Sequence, residues 1–81
     1  MSNANVNLAN ISSETTYSNA NSISILNSSS SDGLRVQKSV TEYIALKSGE
    51  SVYLTAPAGF TLPPITISAD GGSISAQIIT S

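Results

Sequence analysis

Apolar residues in this 81-residue chain alternate with serine, threonine and other polar residues, and this period-two pattern constrains the fold more than any other feature. Ile23 and Ile25 alternate with serines, and Ile65 and Ile67 alternate with a threonine and a serine. Such alternation places the two sets of side chains on opposite faces of a β-strand. No apolar stripe with helical spacing continues for two turns, and residues of low helix propensity dominate. The pattern therefore predicts an all-β protein whose strands are buried on one face and wet on the other.

Several further segments share this pattern, and turn residues separate them. They are Leu34 and Val36; Val40, Ile44 and Leu46; Val52 and Leu54; and Ile74, Ala76 and Ile78. About six to seven short strands spaced in this way predict a small antiparallel β-sandwich or barrel. A chain of this length has room for one core at most, so we predict a β-sandwich domain over residues 22–81. Residues 1–21 are rich in serine and asparagine and predict an N-terminal polar arm or peripheral strand.

Three stretches predict the connections between strands. Asp70 and Gly71 predict a two-residue hairpin that pairs Ile67 with Ile74. The segment 47–50 predicts either a hairpin, with Gly49 in the left-handed conformation, or a crossing between two sheets. Three prolines place residues 56–64 in a loop, and we expect Phe60 and Leu62 in that loop to cap an open end of the core.

The composition leaves few groups that could do chemistry near neutral pH. The chain has no histidine, cysteine or tryptophan, and only three basic and five acidic residues. Disulfides and thiolate metal sites are therefore excluded, and the commonest neutral metal ligand is missing. The carboxylates stand alone or beside turn glycines, and serines adjacent to Lys38 and Lys47 point away from them on a strand. We predict no enzyme activity, metal or cofactor; a small hydrolase is the alternative that measurable turnover would reveal.

The charge and hydropathy of the chain limit the classes of partner that it could bind. The formal net charge is −2 with no basic cluster, so nucleic acid and anionic membranes are not expected partners. No apolar run is long enough for a membrane-spanning helix. Residues 1–10 contain neither a basic residue nor a continuous apolar segment, so we expect no secretory signal there, and synthesis in a cytosol.

A core this small supplies about 3 to 5 kcal/mol, so we expect a homo-oligomer or docking on a partner. Sparse apolar residues in the polar arm could pair edge to edge with a neighbouring chain, the alternative being a frayed terminus. Two tyrosines on strands could stack on a sugar or a protein, or could pair across strands to shield the sheet. The predicted partner-contact residues are Val6, Leu8, Ile11, Tyr17, Tyr43 and Tyr53.

One family resemblance rests on three segments. Ile23–Ser29, Leu34–Val36 and Ile44–Leu54 contain an I-x-N-x-S strand end at Asn27 and an L-x-x-G-E-S-V-x-L strand pair. Over residues 22–81 the chain resembles small β-sandwich accessory proteins of tailed-bacteriophage virions. Bacterial immunoglobulin-like domains use the same L-x-x-G-E-S turn for the same geometric reason.

The resemblance implies a non-enzymatic structural protein of the virion, assembled in the host cytoplasm. It implies in particular a capsid decoration or cement protein that binds the assembled phage shell and stabilises it. Its partners would be the major capsid protein or other virion proteins. A head-fibre or tail component, and a carbohydrate-binding or adhesive β-sandwich module, are the alternatives.

Overall fold

The computed structural model describes residues 6–81, which form two four-stranded sheets. The strands are β1 (Asn7–Ile11), β2 (Thr15–Tyr17), β3 (Ser22–Asn27), β4 (Gly33–Gln37), β5 (Tyr43–Leu46), β6 (Ser51–Thr55), β7 (Ile65–Asp70) and β8 (Ala76–Thr80). Sheet A has the order β1-β8-β3-β6 and sheet B the order β2-β7-β4-β5. All neighbouring strands are antiparallel. The all-β prediction is confirmed, with one or two strands more than the sequence indicated.

The core lies between the two sheets and consists of aliphatic side chains. Its buried residues are Ile23, Ile25, Ala76 and Ile78 from sheet A, and Leu34, Val36, Leu46, Ile65 and Ile67 from sheet B. Each set occupies alternate positions of its strand, because successive side chains of a strand point to opposite faces. The predicted alternation is therefore confirmed along β3, β4, β7 and β8, and the architecture is a sandwich.

The predicted hairpin at Asp70 and Gly71 is wrong, because β7 belongs to sheet B and β8 to sheet A. Only the β4–β5 connection joins neighbours of one sheet within residues 6–81; every other connection crosses between the sheets. Crossing also turns both apolar sets toward the core, so alternation alone does not distinguish it from a hairpin. Asp32 holds the crossing in place: its Oδ2 accepts a hydrogen bond from the backbone N of Ser73 at 3.2 Å.

Substituting Gly72 by alanine is expected to lower the free energy of unfolding by about 1 kcal/mol. The added Cβ would lie 2.5 Å from Cγ of Asp32 and would displace the carboxylate from the backbone N of Ser73. Urea denaturation of Gly72→Ala, Asp32→Ala and the double variant tests this coupling. The double variant should be about as stable as Asp32→Ala alone, whereas fully additive losses would contradict the proposed contact.

The turn over residues 47–50 is a crossing between sheets, which the sequence had left open against a hairpin. Gly49 has a φ of 80°, so the left-handed conformation expected for a hairpin is present in the crossing. The backbone N of Lys47 donates to Oε1 of Glu50 at 2.7 Å, and the backbone N of Glu50 donates to the carbonyl of Lys47 at 3.0 Å. These bonds fix the shape of the turn, and further backbone bonds join it to Asn27 at the end of β3.

Three predicted apolar positions, Val40, Ile44 and Phe60, lie outside the core. Val40 is exposed in the bend before β5, where the backbone N of Lys38 donates to the carbonyl of Glu42 at 2.9 Å and ends the alternation. Leu62 packs against the core as expected, because its backbone N donates to the carbonyl of Ala20 at 2.7 Å and ties the loop to the sandwich. Phe60 is exposed, so the prediction that it caps the core is wrong.

Candidate interaction surface

The outer face of sheet A carries no charged side chain within the described residues. The strand register turns alternate residues outward, away from the buried positions of β3 and β8. We call these outward residues the sheet A face: Leu8 and Asn10; Gln77 and Ile79; Ser22, Ser24 and Leu26; and Ser51, Tyr53 and Thr55. A face that is hydroxyl-bearing, amide-bearing or apolar throughout can meet a partner without desolvating a charge.

Apolar side chains on this face are strongly exposed. Leu8 is 75% exposed, Tyr53 64% and Ile79 47%, and Leu8 lies directly opposite Ile79 across the strand pair. A shallow groove of about 570 Å³ runs over Ser24, Leu26 and Ile79. The groove forms because small serines stand between larger apolar residues. Grouped exposed apolar side chains with a polar surround are typical of protein contact sites.

The outer face of sheet B differs, because its charged groups contact one another. An NH2 nitrogen of Arg35 lies 3.5 Å from Oδ1 of Asp70, and the guanidinium stands 4.2 Å from the ring centre of Tyr43. The hydroxyls of Thr16 and Thr66 are 2.9 Å apart. The outer face of sheet B is therefore polar, and its side chains bond to one another. The guanidinium of Arg35 partly covers the ring of Tyr43.

The predicted contact residues fall in different environments. Val6 and Leu8 are exposed beside or on β1, an edge strand of sheet A, whereas Ile11 and Tyr17 pack partly buried against the core. Burial raises the pKa of Tyr17 above its ordinary value of 10.0. Residues 1–5 of the predicted arm lie outside the described residues.

Tyr43 and Tyr53 do not form the cross-strand pair that was one interpretation of the sequence. Tyr43 is on β5 in sheet B, and Tyr53 is on β6 in sheet A. The two rings therefore lie on opposite outer faces of the sandwich. A flat sugar-stacking platform built from both rings is therefore not formed.

Two residues of the sheet A face were missed as contact candidates, although the sequence carries a signal for them. Leu26 follows Ile25, and Ile79 follows Ile78. Neighbouring residues on a strand point to opposite faces, so an apolar doublet in an alternating strand must expose one of its members. The structure exposes Ile79 strongly and leaves Leu26 partly buried on the face.

Asn27 joins the segments that carry the family resemblance. Its side chain is buried, and Nδ2 donates to the carbonyls of Asp32 at 2.8 Å and Leu46 at 3.1 Å. Its backbone N donates to the carbonyl of Glu50 at 2.9 Å, and its carbonyl accepts from Gly49 at 3.0 Å. The strand end and the G-E turn therefore form one structural junction that closes this end of the sandwich.

Potential reactive groups are engaged in local structure. Oγ of Ser48, next to Lys47, donates to the carbonyl of Ser29 at 2.6 Å. Oγ of Ser39, next to Lys38, accepts from the backbone N of Glu42 at 3.2 Å. Residues 6–81 contain no group of three or more acidic, histidine or cysteine side chains placed to hold a metal ion.

No protein-family model, curated protein or solved structure matches this chain. The described part of the chain also contains no helix of the length and hydropathy needed to cross a membrane. The geometry of the surfaces is therefore the main support for the function proposed below.

Proposed function

We propose that this protein is a non-catalytic structural component that docks on a larger assembly through the sheet A face. The observation that carries the proposal is the uncharged outer face of sheet A with its exposed Leu8, Tyr53 and Ile79. Exposed apolar residues on a monomer of this size favour association, because contact removes their surface from water.

The assembly we propose is the capsid of a tailed bacteriophage, with the protein acting as a decoration protein in the virion. The resemblance over residues 22–81 supports this class, and the partners are then the major capsid protein or other virion proteins. A weak contact suffices for such a role, because ligand binding stabilises the bound state by RT ln(1 + [L]/Kd) at every site of the shell. Self-association of the chain would add avidity to each contact.

Binding to particles tests the function directly. The purified chain is added to virions made from the encoding phage genome with this gene deleted, and separately to unassembled capsid protein. We expect binding that saturates at a fixed number of copies per particle, and none to unassembled subunits. Binding only at the tail would support the tail component instead. Absence of the chain from both treated and wild-type virions would contradict the proposal.

A glycan array serves as the counter-test for an adhesive module. The docking proposal predicts no glycan whose binding is lost in Tyr53→Ala while the fold is retained. A specific glycan lost in that variant would favour a carbohydrate-binding function, since an aromatic ring that stacks on a sugar supplies much of the affinity.

A further inference from the structure

The free edge of β6 presents unpaired backbone groups to solvent. The backbone N of Asn27 donates to the carbonyl of Glu50, and the backbone N of Ala56 donates to the carbonyl of Asn21. Together with the register between β3 and β6, these bonds fix the alternation of hydrogen bonding along β6. The N–H and C=O groups of Val52 and Leu54 therefore face β3, and those of Ser51, Tyr53 and Thr55 point away from the sheet.

This edge lacks the usual protection against pairing. Ser51–Thr55 contains no charged residue and no proline, and Pro57 follows only after the strand has ended. In sheet B, by contrast, the edge strand β2 has only three residues. A glutamate directly precedes both β5 and β6, but β5 is also followed directly by Lys47. Soluble proteins blunt exposed edges with charges, prolines or short strands. Both edges of sheet A, β1 and β6, are five residues long without a charge or proline and are therefore open to pairing; the β6 edge differs by the open side of the sandwich beside it.

The sandwich is also open between β6 and β5. A groove of about 440 Å³ on this side is lined by Val36, Ile44, Leu54 and Leu62. Ile44 is exposed, and Leu54 is partly buried, although both stand on the inward faces of their strands. The core therefore continues to the surface here, and a partner on the β6 edge would cover it.

We propose that a second copy of this chain closes this side, through antiparallel pairing of β6 with β6 about a two-fold axis at Tyr53. Tyr53 then faces Tyr53 of the second copy, Val52 faces Leu54, and Ser51 faces Thr55. The outward backbone groups of Ser51, Tyr53 and Thr55 are the ones that form hydrogen-bonded pairs in this register. Every cross-strand pair matches like with like, so the strand is complementary to itself.

The charged groups on this side are compatible with the same arrangement. One end of this side carries Lys38 and Glu42, whose Nζ and Oε2 are 3.3 Å apart, and the other end carries Lys47 and Glu50. A two-fold axis brings the first end of one copy against the second end of the other, and both ends are neutral. Neither end repels its counterpart. Pairing would also join two copies of the sheet A face into one continuous docking surface.

This inference rests on the proposed function in so far as that function includes self-association, but it is tested on the free chain. Sedimentation velocity of the full chain should give a dimer mass at high concentration. Tyr53→Pro removes an outward N–H and should raise the dimer dissociation constant at least about tenfold. Asn10→Pro is the matched control, because the backbone N–H of Asn10 points outward from the other edge of sheet A.

A second measurement uses the absence of native cysteine. Under mild oxidation, Tyr53→Cys should form a disulfide dimer much faster than Asn10→Cys at equal concentration, because the two-fold axis places position 53 opposite itself. Circular dichroism checks that each variant keeps its sheet content.

A wild-type chain that stays monomeric at every concentration would overturn the inference, as would a dimer lost in Asn10→Pro but kept in Tyr53→Pro. A monomer that saturates virions would refute the dimer and leave the proposed function standing. A β6-paired dimer that never binds virions would refute the proposed function and leave the dimer standing.

Discussion

Replacing Asn27 by aspartate is expected to unfold most of the protein at neutral pH. Asn27 is 1% exposed, and its Nδ2 donates to the carbonyls of Asp32 and Leu46. A carboxylate there cannot donate, so its charge would be buried against two carbonyl oxygens. Burying an unpaired charge in this way costs about 3 to 5 kcal/mol, which is comparable with the whole stability of a domain of this size.

Urea denaturation followed by circular dichroism measures this loss. Asn27→Ala should be less damaging, because it removes the donor without adding a charge. Acidification should recover part of the stability of Asn27→Asp, since a protonated carboxyl can donate to one of the carbonyls. Asn10→Asp, at an exposed asparagine on β1, is the control and should change stability little. An Asn27→Asp variant as stable as wild type would show that Asn27 does not close the sandwich end.

Replacing Ile79 by lysine is expected to abolish docking while the fold survives. Ile79 points outward from β8 at the centre of the sheet A face and is 47% exposed, so the lysine ammonium can remain in water in the free protein. In the docked state that charge would be trapped against an uncharged surface. Loss of the apolar contact and burial of the charge together predict an affinity decrease of roughly 100-fold or more.

Sedimentation of the variant chain with gene-deleted virions measures the effect. Ala45→Lys is the matched control, because Ala45 is exposed on the outer face of sheet B and does not belong to the sheet A face. The control should bind like wild type. Equal binding by all three proteins, or loss in Ala45→Lys alone, would place the contact elsewhere.

Period-two alternation predicted most of the core, but it also assigned Val40 and Ile44 to the buried face, and both are exposed. Ile23, Ile25, Leu34, Val36 and Ile67 are buried as the pattern requires, because burying the other face would expose every one of them. Alternation did not predict which strands pair. A hairpin and a crossing both turn Ile67 and Ile74 inward, and β7 and β8 find their partners in different sheets through contacts distant in sequence, which no local signal encodes.

The surfaces were predictable only in part. Leu8 and Tyr53 were predicted as partner-contact residues, and both are exposed. Leu26 and Ile79 are identified as outward-facing only once each apolar doublet is assigned to a single strand. Asn27 stood out in a motif, but its role depends on Asp32, Leu46 and the 47–50 turn, which reach it only in the folded chain. The opposite orientations of Tyr43 and Tyr53 likewise follow from sheet membership, which the sequence does not contain.

Imaging virions from the encoding phage by electron cryomicroscopy tests the central claim most directly. We expect density for this two-sheet domain at equivalent positions of the lattice, with Leu8, Tyr53 and Ile79 turned toward the supporting protein. Complete virions that lack this density would contradict the proposed docking, as would a domain that contacts the particle through the outer face of sheet B.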